Sequence, residues 1–196
     1  SLAITVSIIY YANQSLIAST QTIGNETALR TADQIDAYLA QIIDQLKFLG
    51  KNISDPNLSF DTISLLTKNL LDKEPTIYQL SLADANGQKT LRLNKFATSE
   101  IQELIDSTEQ DIIPSVLSGS TYISRVYISD YGLPFVTIRQ AYYSPDSKPL
   151  GIITAELDLS FIWDVISRAQ FKQTGYIYLV DSQGNLLAYK DIQLVK

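Results

Sequence analysis

Seven apolar residues, Ala28, Ala32, Ile35, Leu39, Ile42, Leu46 and Leu49, recur at spacings of 4, 3, 4, 3, 4 and 3, and this run constrains the chain most. It is a heptad seam, which only a long helix can present as one stripe. Tyr38 and Ile43 widen the stripe, so the helix can show one side to its own domain and another to a partner helix. Gly50 is expected to end it. At 1.5 Å per residue, a helix from about residue 13 to that point would project tens of ångströms.

Upstream, "SLAITVSIIYYA" (residues 1–12) carries no charge. A transmembrane helix needs about 20 such residues. The segment therefore reads either as the outer half of a membrane span or as the start of a buried or interfacial helix. Tyr10 and Tyr11, followed by Asn13, Gln14 and Ser15, match an aromatic belt at a membrane exit.

Beyond the long helix, "SDPNLS" makes a turn and "FDTISLLTKNLLDKEPT" predicts a short amphipathic helix closed by Pro75. "IYQLSLADANGQKTLRLNK" alternates around the turn Asp84-Ala85-Asn86-Gly87 and predicts a hairpin. "SEIQELIDSTEQDIIPSVLSG" is expected to be helical, with Ser99 as N-cap and Pro114 ending its regular part. Three strand-like runs, "TYISRVYIS", "LPFVTIRQAYY" and "PLGIITAELDL", then precede a helix "SFIWDVISRAQ" opened by Ser160. The expected architecture is α+β: a long N-terminal helix packed on a five-stranded antiparallel sheet.

The segments "SLADANGQKTL" (Ser81 to Leu91) and "YLVDSQGNLLA" (Tyr178 to Ala188) align without gaps at an offset of 97 residues, with Asp84 over Asp181 and Gly87 over Gly184. Either these are two unrelated hairpins or the chain completes one module and enters a second of the same kind. The second reading divides it into a membrane segment (1–12), a signalling and dimerisation helix (13–50), a complete module (51–170) and the start of another (171–196).

The chain has no Cys and no His, which removes thiolate and imidazole catalysis and the usual zinc and haem ligands. No metal or other cofactor is expected, and no enzyme activity in this region. The net charge is −6 with no basic cluster, so nucleic acid is not an expected partner.

Strand alternation supplies the candidate site. One face carries Arg125, Tyr127 and Ser129 on the third strand, Thr137 and Arg139 on the fourth, Thr154 and Glu156 on the fifth, and Thr90, Arg92 and Asn94 on the second. Tyr122, Val126 and Ile128 are assigned mainly to the opposite, apolar face. The polar face is either simply wet or roofed by loops and the 99–119 helix into a pocket. In a pocket, Arg125 or Arg139 would clamp a ligand carboxylate and Glu156 would accept from an amine or hydroxyl. Asp158, just ahead of a helix, is read as a cap, and Phe161 and Trp163 as packing residues.

With that element order, the sequence resembles the double Cache sensor domains of bacterial transmembrane receptors, which are tandem PAS-like modules outside the membrane. The likeness is carried by the long helix, by "GIITAELDLSFIWDVI", by "SRVYISDYGLPFVTI" and by "TGYIYLVDSQGNLLAYKD". It implies an extracytoplasmic, membrane-anchored domain whose first module binds a small molecule, with a kinase, chemotaxis or cyclase output elsewhere. It places Glu156 where amino-acid-binding members have an acid and Tyr127 at their pocket tyrosine. Ser129 stands where a second acid is expected, with Asp130 adjacent, and the family's arginine-tryptophan-tyrosine cluster is missing from "SEIQELIDSTEQDI". The candidate ligand residues are thus Arg92, Arg125, Tyr127, Asp130, Arg139 and Glu156, and the expected ligand is an organic acid, amino acid or similar polar solute. A homodimer through the N-terminal helix is also expected. The alternatives are a spacer module that binds nothing and a cytosolic PAS-like module.

Overall fold

The computed structural model describes residues 26, 29–30, 32–95, 98–99, 103–104, 111–129, 133–162, 179–180 and 186–188. The first 25 residues, Asp130, Trp163 and most of the second expected module lie outside them. Among the described residues no helix is long and apolar enough to cross a membrane.

Helix α1 covers residues 32–53, and residues 26, 29 and 30 are helical as well. The heptad seam turns inward: Ile35, Ile42, Leu46 and Leu49 are buried, with Ile42 and Leu46 at 0% exposure, and Leu39 packs beside them. The seam is thus the side that the helix shows to its own domain. The stripe is consumed by the domain's own sheet, where burying each large aliphatic side chain is worth about 1.5–3 kcal/mol. Gly50 does not end the helix, which runs three residues further to Ile53. A Cβ on Gly50 would stand 2.7 Å from Tyr142 Cβ, so the glycine marks the closest approach of helix to sheet.

Helix α2 (Phe60–Lys73) forms as expected, starting at Ser59, whose side chain accepts from the Thr62 N–H at 3.2 Å, and closing at Glu74. Gln45 Nε2 of α1 donates to Glu74 Oε1 at 2.6 Å, and the Tyr38 hydroxyl bonds Thr76, which ties both helices to the entry of the sheet.

The sheet is antiparallel. Strands β1 (Ile77–Asp84), β2 (Gln88–Asn94), β7 (Pro134–Tyr143) and β8 (Pro149–Asp158) form its body, in the order β2-β1-β8-β7. The third of the expected strands is split into β5 (Tyr122–Ile123) and β6 (Tyr127–Ile128), both paired with β7. The first hairpin turns as its sequence predicts: Asp84 Oδ1 accepts the N–H groups of Asn86 and Gln88, each at 2.9 Å, and Gly87 takes φ 82°. Those two requirements explain the Asp-x-x-Gly spacing of this turn; its repeat in the sequence at Asp181 and Gly184 lies outside the described residues. Farther along the chain, β9 (Leu179–Val180) and β10 (Leu186–Ala188) pair antiparallel, with Leu186 opposite Val180.

The helix expected over 99–119 does not form as such. Thr98–Ser99 (β3) and Glu103–Leu104 (β4) pair with the free edge of β2, so Ser99 is a strand residue rather than the start of a helix. Among the described residues of that run, Ile113–Leu117 is α-helical (α3), and Pro114 stands in its first turn rather than at its end. Proline suits a first turn because no N–H is needed there. At the C-terminal end of β8, Asp158 caps as read from the sequence, its Oδ1 accepting the Ser160 N–H at 2.7 Å. Phe161 packs on Tyr38 with ring centroids 4.5 Å apart.

One face of the sheet, made of Leu80, Leu82, Leu91, Leu93, Val136, Ile138, Ile153, Ala155 and Leu157, is the core under α1 and α2. The other face carries the site.

Candidate functional site

Strand pairing arranges the polar face in two rows. The first runs Arg92, Ser81, Thr154, Arg139, Tyr122 across β2, β1, β8, β7 and β5. The second runs Asn94, Gln79, Glu156, Thr137. Neighbours within a row are about 4.8 Å apart, so their functional groups meet over the sheet.

The face is covered rather than wet. Ser81, Thr137, Arg139 and Thr154 are 4%, 7%, 5% and 8% exposed, although each is polar or charged. At one end the cover is α3, whose Val116 packs on Ala83, Ala141 and Ile152, and Tyr143 donates to the Leu117 carbonyl at 3.2 Å. Between the ends lies a pocket of about 290 Å³ lined by Gln79, Ser81, Lys89, Tyr127, Thr137, Arg139, Thr154 and Glu156. A larger hollow of about 790 Å³, between the end of α1 and the β7–β8 hairpin, is lined by exposed Lys47, Lys51 and Asp55. The smaller pocket is the better candidate because its polar groups are already withdrawn from water.

Chemically the pocket combines cations, one carboxylate and hydroxyls. The Arg139 guanidinium lies 5.5 Å from the centre of the Tyr122 ring, a cation–π distance that helps to hold the side chain in place. Glu156 accepts from Gln79 Nε2 at 3.0 Å, which orients the carboxylate. Tyr127 stacks on Phe135 with centroids 6.1 Å apart, and Phe135 meets Tyr78 edge-on at 5.3 Å, so that end of the site is aromatic. Among the described residues no group of three or more carboxylates could hold a metal ion.

Of the six residues singled out by sequence, Tyr127, Arg139 and Glu156 converge on the pocket. Arg92 is half-buried beside it, opposite Ser81. Arg125 is exposed and off the pocket, because residues 124–126 leave the ladder. Asp130 lies outside the described residues.

Two pocket-side residues were hidden from strict alternation by bulges. On β5 and β6, Tyr122 pairs with Arg139 and Tyr127 with Phe135, so a step of five residues faces a step of four. The extra residue turns Tyr122 onto the polar face, correcting its assignment to the apolar one. On β2, Leu91 pairs with Leu82 but Lys89 with Ala83, so Thr90 is extra and Lys89 joins the face of Ser81. The doublet Gln88-Lys89 next to a turn was the only sequence signal for it.

No family model and no curated protein matches the chain. Solved structures do. The ligand-binding domain of the Campylobacter jejuni chemoreceptor Tlp3, in complex with 4-methylisoleucine, aligns with TM-score 0.70 at 16% identity, covering 91% of this chain and 72% of that one. The ligand-binding domain of the Pseudomonas aeruginosa amino acid chemoreceptor PctC, in complex with GABA, aligns with TM-score 0.70 at 15% identity, covering 90% and 78%. That of Pseudomonas fluorescens CtaA, in complex with L-leucine, aligns with TM-score 0.58 at 22% identity, covering 84% and 68%. The long helix on an antiparallel sheet is thus the fold of chemoreceptor sensory domains, the one that the double Cache resemblance implied.

Proposed function

We propose that this chain is the extracytoplasmic ligand-sensing region of a transmembrane signalling receptor, and that the pocket on the polar face binds a small polar or anionic solute. The observation that carries the reading is the burial of Ser81, Thr137, Arg139 and Thr154 around one cavity on a face that strand alternation alone would leave wet. A charge and hydroxyls withdrawn from water are stable only when paired, and here they converge on one cavity where a polar solute can add to that pairing. Arg139 takes the carboxylate, Glu156 accepts from an amine or hydroxyl, and the Tyr127–Phe135 pair walls the apolar part of the ligand. Arg92 supports the row from outside the cavity. The solved relatives of this fold in complex with amino acids and GABA support the same class of ligand.

The route inward follows from the alternation of β7 and β8. Thr137, Arg139, Thr154 and Glu156 face the pocket while Val136, Ile138, Ile153 and Leu157 touch the core under α1. A ligand that shifts either strand therefore moves the helix packing, provided that it binds one arrangement better than the other. The residues before α1 anchor the domain in the membrane, residues 51–170 form the complete module and residues 171–196 begin a second. Pairing of two copies uses the outward side of α1, where Phe48 is 69% exposed, since the seam itself is spent on the core.

A thermal-shift screen of amino acids, carboxylates and amines tests the reading. A true ligand at 100 times its Kd adds about 2.7 kcal/mol to stability, and Arg139→Ala removes the shift. A screen without hits, or a hit that Arg139→Ala leaves unchanged, favours a structural spacer instead.

A further inference from the structure

We propose that Ser81 and Thr154 are specificity-determining residues: their hydroxyls form a hydrogen-bonding floor that reads a hydroxyl or carboxamide on the ligand and rejects an aliphatic group of the same shape. The inference rests on the pocket reading above and deepens it.

The pair lies at the centre of the site. Ser81 on β1 and Thr154 on β8 are register partners on the two middle strands of the sheet, and both line the cavity although they are only 4% and 8% exposed. Directly opposite residues hold their Cβ atoms about 4.5–5.5 Å apart, so one ligand group above the floor can reach both hydroxyls. The neighbouring polar side chains already have partners. Gln79 Nε2 donates to Glu156, the Arg139 guanidinium lies over the Tyr122 ring, and the Thr90 hydroxyl donates to the Leu82 carbonyl at 3.4 Å. Among the described residues no group hydrogen-bonds the Ser81 or Thr154 hydroxyl. The charged groups thus act first on the protein, whereas these two hydroxyls present donors and acceptors to whatever fills the cavity.

Hydroxyl chemistry sets what the floor prefers. A hydroxyl both donates and accepts, so two of them side by side match a group that does both, as a hydroxyl or a carboxamide does and a methyl group does not. A solute entering the cavity displaces water from the floor, and a group that cannot return the hydrogen bonds of that water loses affinity. A carboxylate is the weaker match: it cannot donate, and it would stand near Glu156, two residues along β8 on the same face with about 7 Å between the backbones. The cavity of about 290 Å³ sets the size: at about 30 Å³ per water-sized group it holds roughly ten, against about eight or nine non-hydrogen atoms in threonine or asparagine.

Titration calorimetry of the 196-residue chain tests this with L-threonine against L-valine and L-asparagine against L-leucine, pairs of nearly equal shape that exchange a hydrogen-bonding group for a methyl group. The parent should bind the polar member of the better pair about tenfold tighter or more, the effect of leaving buried hydroxyls without a partner. Thr154→Val keeps the shape of the floor, and Ser81→Ala removes the oxygen on the other strand. Each should bring the preference within about twofold by weakening the polar member, while Thr154→Ser keeps it; circular dichroism confirms that the chains compared are folded. Equal binding of both members by the parent, a preference that survives Thr154→Val and Ser81→Ala, or equal loss of both members in those folded variants overturns the role of the floor and spares the pocket where Arg139→Ala abolishes binding. Binding that survives Arg139→Ala overturns the pocket reading and this inference with it. No binding of any of the four probes overturns this inference, and the wider thermal-shift screen then decides the pocket reading.

Discussion

Gly50→Ala opposes two effects of known size at one position. Within a helix, alanine is favoured over glycine by about 1 kcal/mol, so helix propensity alone makes the substitution stabilising. Packing reverses the sign. The new Cβ would lie 2.7 Å from Tyr142 Cβ, 3.3 Å from Ile153 Cδ1 and 3.6 Å from Tyr142 Cα. Carbon atoms rest about 3.5–4.0 Å apart, so the first contact is short by about 1 Å. Tyr142 Cβ is fixed to the backbone of β7 and cannot rotate away, which leaves α1 to lift from the sheet. Overpacking of this kind costs about 1–3 kcal/mol. The upper part of that range applies, because lifting α1 also loosens Leu46 and Leu49, both in the core. The net expectation is a loss of about 1–2 kcal/mol, or roughly 2–8 °C in Tm for a chain of this size. Urea denaturation followed by circular dichroism, with parent and variant side by side, reads it. A Gly50→Ala variant as stable as the parent would refute the close-approach argument and restore the view of Gly50 as an ordinary helix-end residue.

The two sides of α1 should respond differently to charge. Ile42→Glu puts a carboxylate at a position with no exposure and should unfold the domain, whereas Phe48→Glu should leave the melt within about 0.5 kcal/mol and lower the sedimentation coefficient if outward faces pair. An Ile42→Glu chain that stays folded but becomes monomeric would show the seam facing a partner after all. Alkaline stability should report on two tyrosines. Burial raises the Tyr142 phenol above its ordinary value, with Asp84 adding to the effect. Burial likewise raises that of Tyr38, opposed by its hydrogen bond to Thr76 and reinforced by Glu74. A raised phenol is neutral in both folded and unfolded chains below about pH 10, so it leaves stability unchanged there. Above that the unfolded chain ionises first, and stability falls as pH rises through the folded value. Tyr142→Phe should flatten that decline in denaturation midpoints between about pH 9 and 11, and an equally steep decline would show the phenol to be solvated.

The sequence by itself determined those elements whose causes are local. The heptad seam required a long helix, the amphipathic run ahead of Pro75 formed α2, and Asp84 with Gly87 made the first hairpin turn, because each depends on side chains within a few residues of the backbone they act on. Alternation along β7 and β8 was equally legible: both strands run ten residues without interruption inside the sheet, and Arg139 and Glu156 fell on the pocket face as expected. Tertiary structure decided the rest. Which partner the seam packs against depends on a sheet that forms up to a hundred residues later, and it is this domain rather than a second copy that buries Ile35 and Ile42. The run from Ser99 has a helical pattern, yet Thr98–Ser99 and Glu103–Leu104 at its start pair with the open edge of β2, where ladder hydrogen bonds override weak propensity. The two bulges were the least visible features, since one extra residue reverses the face of everything beyond it and leaves no compositional trace. They brought Tyr122 and Lys89 to the site and took Arg125 away from it, so the flanks of the pocket depend on strand register that only the folded sheet specifies.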